Sequence, residues 1–399
     1  MKVGGADGAA HLTHSTHIHP GESWPEIRQY LETCCAAVRA RIAPGRPAGV
    51  GLRLSAAAAM ALSRLEVLRD LLELLREQDL YVFTLDGLAC GGGNERVKED
   101  VYLPDWRSNE RLEYTNRLAE LLAVLLPEGV RGSIVTMPGA HRQAIRTRAD
   151  KAAVAAQLAQ HVAHLVDIKR RSGRVIRTAL EPEPCFMIET LGEAVRFFER
   201  YALSREAREL LAREGDLSVR GAEAALREHL GVCVDLCHCA LAFEDVPAAL
   251  AALQAAGIAV PKVQISAALR LPQVTQSDLE RLRAFDDADC LRQVVARSAR
   301  GLRRYSDLAE AFAAFDPRER PCEWRVRLHV PVHLSRMDAF ETTRESVEAA
   351  LQAHRTAPIT DHFEVETHTF EVLPSRYREA DAVTQIAREV RWAAQQLRA

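Results

Sequence analysis

At 399 residues the chain exceeds the size of one ordinary domain, although α/β barrels reach this length as a single unit. Its 48% apolar and 27% charged residues supply the mass for a sizeable core and argue against disorder. Lys+Arg of 52 against Asp+Glu of 55 leaves a formal charge of −3, so the overall balance attracts neither nucleic acid nor an anionic membrane.

The opening segment MKVGGADGAAHLTHSTHIHPG lacks the apolar centre of a signal peptide, and no run approaches the ~20 apolar residues of a membrane span. A cytoplasmic location is therefore expected. The cysteines number nine, an odd count scattered along the chain, which fits reduced thiols better than a disulfide framework.

Short β-branched or apolar runs then recur, each followed by sequence of helical period. Strands are predicted at 11–18 (HLTHSTHI), 49–55 (GVGLRLS), 80–87 (LYVFTLDG), 132–139 (GSIVTMPG) and 174–184 (RVIRTALEPEP). Further strands are predicted at 231–238 (GVCVDLCH), 261–269 (PKVQISAAL), 324–333 (WRVRLHVPVH) and 362–374 (HFEVETHTFEVLP). Helix starts are marked by the Ser/Thr-x-x-Glu pattern, in which cap and third residue satisfy each other's backbone donors: Ser23/Glu26, Thr190/Glu193, Ser277/Glu280 and Thr342/Glu345. Residues 188–229 and 276–316 are each expected to hold two helices.

This alternation favours a closed (β/α)8 barrel over an open doubly wound sheet. No Gly-x-Gly-x-x-Gly follows the first strand, and the GGG at 91–93 lacks the Lys-Ser/Thr of a P-loop. Nine candidate strands for eight places make one of them extra, either 324–333 or the first. The chain reads as one barrel domain over 1–399, with an extra strand or hairpin at about 324–334.

Strand parity then selects side chains for the barrel interior, where catalytic groups sit at the carboxyl ends of the strands. Ile176, Thr178 and Leu180 share one face, so Glu181 points inward at the end of its strand. Cys233 and Asp235 face inward against Val232 and Val234, with His238 just past the end. Lys262, Gln264 and Ser266 line the next strand, Arg327, His329 and His333 another, and Glu364, Glu366 and His368 the last. Carboxylate and imidazole donors gathered at one rim suit Zn²⁺ or Mn²⁺, with Mg²⁺ as a third option, whereas unpaired inward carboxylates are costly. Cys233, Cys237 and Cys239 lack Cys-x-x-Cys spacing, so Asp235 and His238 carry the chemistry of that segment.

VDLCH, with ALEPEP and VET at 365–367, resembles the xylose isomerase-like TIM barrels, a superfamily of sugar phosphate isomerases and epimerases that also contains endonuclease IV. Over nearly the whole chain, HLTHSTHIHPGESW, VKEDVYLPDW, LEPEP, VDLCH and ETHTFEVLP resemble the EboE family, called metabolite traffic proteins. The chain departs from that family's pattern at His14 and His17 and in the ACGGGN loop. The resemblance implies Glu181, Asp235 and Glu366 as metal ligands and His238 as a ligand or near neighbour. Gln264 stands where relatives often have histidine, an imidazole that His329 would replace, and Glu183 is the alternative to Glu181. His11 and His19 would reach substrate hydroxyls, and Asp86, Lys98, Asp105 and Trp106 follow the third strand, the tryptophan as an apolar wall or at the surface.

Three readings follow. In the first, a divalent ion holds a sugar, polyol or hydroxyketone while Glu181 and Glu366 move a proton between carbons and Lys262 polarises a carbonyl or is salt-bridged. In the second, an endonuclease IV-like cluster hydrolyses a small phosphoester, since the charge disfavours nucleic acid. In the third, the barrel binds a metabolite without reaction. Oligomeric state leaves no mark in the sequence.

Overall fold

The computed structural model describes residues 1–3, 10–16, 22–88, 103–285, 292–367, 373 and 375–398. In chain order its strands are β1 (Lys2–Val3), β2 (Ala10–His14), β3 (Ala48–Arg53), β4 (Leu80–Asp86), β5 (Gly132–Thr136), β6 (Ile176–Leu180), β7 (Leu230–Asp235) and β8 (Ala259–Ile265). Then come β9 (Ala267–Leu271), β10 (Val294–Ser298), β11 (Gly301–Tyr305), β12 (Cys322–Val330), β13 (Arg336–Met337), β14 (Phe340–Thr342) and β15 (His362–Val365).

Eight of these strands run parallel in the order β2-β15-β8-β7-β6-β5-β4-β3, with β1 antiparallel at the edge of β2. A parallel bridge between Ser15 and Gly51 brings β3 back to β2 and closes the ring. With helices between successive strands this is a (β/α)8 TIM barrel. Apolar residues of the strands face the helices and join one continuous core, among them Leu12, Val50, Ile134, Ile176, Val232, Val234 and Val263.

Local chemistry sets many of the helix ends. Ser23 and Glu26 form the expected capping box, and the Thr190 hydroxyl accepts the Glu193 N–H. Two expected starts are shifted: Thr275 with Asp278 forms the box near 276, and the helix near 344 begins after Thr343, whose side chain makes no cap bond. The longest helix, Arg148–Ser172, opens on a Thr147/Asp150 box and stops at Gly173, whose φ of +72° suits glycine.

Between β8 and β15 lies a second, antiparallel sheet of six strands, β11-β10-β12-β9-β14-β13. The predicted run 261–269 thus divides at Ser266 into one barrel strand and one strand of the second sheet, and the run 324–333 falls on β12 of the latter as far as Val330, with 331–333 in the turn that follows. Residues 276–316, expected as two helices, hold helix Gln276–Leu282, the β10–β11 hairpin and helix Leu308–Ala313. The predicted strand 231–238 ends at Asp235, and Cys237 and His238 lie on the helix Leu236–Leu241.

The second sheet is fastened to that helix. Arg325 Nη1 donates to the Ala240 carbonyl at 2.5 Å, and the Phe243 ring lies 4.3 Å from the Arg297 guanidinium and 4.0 Å from that of Arg325. Glu323 accepts from Arg270, Arg297 and Arg325, which fixes the cations against the ring.

Candidate metal centre

Asp235 ends β7 and caps the short helix after it, because its Oδ1 accepts the His238 N–H at 2.8 Å. The same oxygen accepts from Ser266 Oγ at 2.9 Å, and Ser266 Oγ in turn accepts the Cys237 N–H at 2.9 Å. One serine between β8 and β9 therefore orients both Asp235 and Cys237. Oδ2 of Asp235 is buried and has no hydrogen-bond partner among the described residues.

His238 Nδ1 lies 3.1 Å from the Pro182 carbonyl oxygen and 3.4 Å from Glu181 Oε1. A carbonyl only accepts, so the hydrogen belongs to Nδ1 and the lone pair to Nε2, a buried atom without a partner among the described residues. His329 on β12 repeats the pattern: its Nδ1 donates to the Glu366 carbonyl at 3.0 Å, which leaves the lone pair on Nε2. The two rings stand 5.6 Å apart at 81°. Burial lowers both imidazoles to about 4, so each is neutral near pH 7 and able to donate its lone pair.

Glu181 follows β6 directly and is held well above the ordinary carboxyl range by burial and by the charges of Glu366, Asp235, Glu183 and Asp86. Glu366, just past β15, is raised by burial and by Asp235, Asp86 and Glu364. Burial opposes the Asp235 charge too, but the His238 and His329 imidazoles, the His238 N–H and the Ser266 hydroxyl outweigh it and lower this carboxyl. The neighbouring cations are engaged with other acids: Lys262 Nζ lies 2.5 Å from Glu364 Oε1, and Arg327 Nη2 lies 2.8 Å from Glu183 Oε1.

Ligand atoms of Glu181, Asp235 and His238 all lie within 4.8 Å of one another, and so do those of Asp235, Cys237 and His329. Oxygen and imidazole donors, with Asp235 Oδ2 and His238 Nε2 buried and unsatisfied, fit a divalent cation.

Other predicted residues distribute around this centre. Gln264 lies in register between Asp235 and Glu364, and its Oε1 takes the Cys233 thiol at 3.2 Å. Asp86 ends β4, with Oδ1 on the Leu88 N–H at 2.9 Å and its charge felt at Glu181 and Glu366. Lys262 sits one step deeper, level with Cys233. Glu183 is close to Glu181 but bound by Arg327.

Trp106 lies level with the rim but outside the barrel interior, and His11 is not brought to the rim. The Trp106 indole is fully buried, donates to Thr136 Oγ1 at 3.0 Å and lies 5.8 Å from the His161 ring, on the helix side of β5. His11 pairs with His362 at the amino end of the barrel, where its Nδ1 lies 2.9 Å from the Tyr81 hydroxyl and its ring packs on Phe83. His19, with Lys98 and His368, lies outside the described residues.

Several partnerships had only a partial signal in the sequence. Ser266 shares the parity of Lys262 and Gln264, and Arg327 that of His329, but which acid each would meet depends on tertiary placement. Glu389, on the carboxyl-terminal helix Ala382–Arg398, gave no signal. Its Oε2 accepts the Val332 N–H at 3.1 Å and the Thr367 hydroxyl at 2.5 Å, tying together the segments that follow His329 and Glu366.

No helix among the described residues is long and apolar enough to cross a membrane. No protein-family model and no curated protein matches the chain. Among solved structures, the IOLI protein with a bound zinc atom is similar at 12% identity over 97% of this chain and 98% of that one, with a TM-score of 0.48. A xylose isomerase-like TIM barrel protein from Mycobacterium smegmatis in complex with magnesium matches at 12% identity over 95% of this chain and 90% of that one, TM-score 0.47. A D-tagatose 3-epimerase-like protein matches at 12% identity over 87% and 90%, TM-score 0.40. Likeness at this level concerns the fold alone, which the strand order already establishes as a (β/α)8 barrel.

Proposed function

We propose that this protein is a divalent-metal-dependent isomerase or epimerase of a small sugar, polyol or hydroxyketone. The observation that carries the reading is the trio Glu181, Asp235 and His238 at the carboxyl ends of β6 and β7, whose ligand atoms lie within 4.8 Å of one another. These three residues would hold the ion, with Glu366, His329 and Gln264 around it. Bound there, a Zn²⁺ or Mn²⁺ ion would supply electrostatic stabilisation of negative charge developing on a substrate oxygen.

The protein's own groups account for the proton. Glu181 and Glu366 are raised by burial and by the carboxylates around them, which brings each carboxyl nearer the pH at which it both takes and returns a proton. A pair so tuned suits transfer between neighbouring carbons. Lys262 enters through Glu364: paired there, it offsets one of the acids beneath the site. The wider role in metabolite traffic draws its support from the segments resembling EboE alone.

The test is metal content of the purified protein beside Asp235→Ala and Glu366→Ala, with deuterium wash-in from D₂O into a panel of polyols and hydroxyketones. Metal in the parent, its loss in both variants and metal-dependent wash-in are expected. Unchanged occupancy in both variants would overturn the site, and retained metal without wash-in would replace the isomerase reading by that of a binding barrel.

A further inference from the structure

Glu389 is a buried acid that the chemistry proposed above does not use. We infer that it is a positioning residue for the ion site, a clamp from the carboxyl-terminal helix Ala382–Arg398 that sets the spacing of Glu366 and His329. The inference rests on the ion site proposed above and adds to it a residue that touches neither ion nor substrate.

The Glu389 side chain is 1% exposed, on a helix that buries Ile386, Val390, Ala393 and Leu397 beside it, where an apolar residue would be easier to bury. Its Oε2 accepts from two separate segments, the Val332 N–H at 3.1 Å and Thr367 Oγ1 at 2.5 Å. Both donors stand where a strand has already ended: Val332 follows β12, which stops at Val330, and Thr367 follows β15, which stops at Val365.

These bonds complete a ring. His329 Nδ1 donates to the Glu366 carbonyl at 3.0 Å, the chain runs from Glu366 to Thr367, one carboxyl oxygen joins Thr367 to Val332, and the chain returns from Val332 to His329. The Glu366 N–H is held in turn by the Ile265 carbonyl at 3.1 Å, so Thr367 is the remaining point from which Glu366 is steered. Within a closed ring, neither residue is free to shift without moving the other. Loss of support behind the ligands of an ion costs ~10–100-fold in metal affinity, and Glu389, one bond further out, belongs at the lower end.

Cobalt(II) binding to the metal-free protein tests this, read both as affinity against a competing chelator and as the visible spectrum of the bound ion. Glu389→Leu is expected to weaken binding about 10-fold and to alter the spectrum, while Glu389→Gln, which still accepts both donors, restores both. Thr367→Val should weaken binding in the parent and add nothing to Glu389→Leu. Val390→Ala, which thins the core contact of the same helix, should lower the melting temperature and leave the spectrum unchanged. Parent affinity and spectrum in a folded Glu389→Leu protein would overturn the clamp and leave the ion site standing. If that variant does not fold, Thr367→Val decides, and an unshifted spectrum there overturns the clamp. Equal spectral change in Val390→Ala would reduce Glu389 to packing and overturn it too. A parent protein that binds no cobalt would overturn the ion site and the clamp together.

Discussion

Lys262 Nζ lies 2.5 Å from Glu364 Oε1 in the barrel interior, and Gly51 leaves the room for the acid: a Cβ on residue 51 would fall 1.5 Å from Glu364 Oε2. Burial works to lower the lysine, yet Glu364 raises it above its ordinary value, so the pair is held as an ion pair. Removing one partner strands the other. Lys262→Met is expected to cost ~3–5 kcal/mol, and Lys262→Met with Glu364→Gln to cost less than the two single changes together. Urea unfolding of the four proteins checks this.

Gly51→Ala acts on the same pair from the opposite wall. The added methyl must displace the Glu364 carboxylate, which its bond to Lys262 resists, so a loss of ~1–3 kcal/mol is expected from overpacking. A Gly51→Ala protein as stable as the parent in the same denaturation would show that Glu364 has somewhere else to go.

Without metal, Glu181 and Glu366 should contribute stability that is lost as pH rises. Glu181 and Glu366 are raised in the fold, so between the ordinary carboxyl range and their folded values the native protein holds more protons than the unfolded chain. Their contribution is complete below the unfolded value, about 4.3, and is lost as pH rises through the folded values. Above the ordinary imidazole value of about 6.5, where the buried neutral histidines no longer add a slope of opposite sign, the melting temperature of chelator-treated protein should therefore fall as pH is raised to about 8. Zinc or manganese at ~100 times its dissociation constant should restore ~2.7 kcal/mol and flatten the slope.

Glu389 gives a separate pH signature, through the segments that follow His329 and Glu366. Burial raises its carboxyl to about 7, against opposing hydrogen bonds from Thr367, Val332 and Gln385 and the charge of Arg388. Its stabilising protonation is complete below the ordinary carboxyl value and lost as pH climbs through about 7. Glu389→Gln keeps a neutral acceptor, so its stability relative to the parent should improve by roughly 3 kcal/mol between acid and mildly alkaline pH. Parallel stability curves for the two proteins would remove the assignment.

Much of the barrel was readable because parity is a local property. Glu181, Asp235, Glu364 and Glu366 were placed on inward faces by alternation with apolar neighbours that face the helices. Depth was harder. His11 has interior parity, but its register with His362 sets it at the amino end, and register depends on strands far away in sequence. The second sheet was hidden for another reason: in PKVQISAAL the alternation continues past Ser266 without a break, although the chain there passes from one sheet to another. The arginine-rich hairpin β10–β11 resembles an amphipathic helix until its pairing with β12 is known. Trp106 follows its strand as expected, yet which side of the barrel wall takes the ring is decided by Thr136 and His161.

Phe243, in contact with both Arg297 and Arg325, tests how the second sheet is held. Phe243→Ala removes two cation–π contacts worth ~0.5–2 kcal/mol each and should increase protease cleavage within residues 267–342 before the barrel unfolds. Cleavage rates matching the parent would assign the docking to the sheet's other bonds, Arg325–Ala240, Arg327–Glu183 and His329–Glu366.

His329 reaches the barrel rim from a sheet that the barrel does not need for its own closure. A survey of random variants scored by turnover would therefore find damaging substitutions well outside the strands that carry the carboxylates. Changes at Phe243 or Glu323, which touch no proposed ligand, would mimic loss of an imidazole by letting its support drift. Sensitivity mapped in this way would trace how the insert is moored as faithfully as it traces the chemistry.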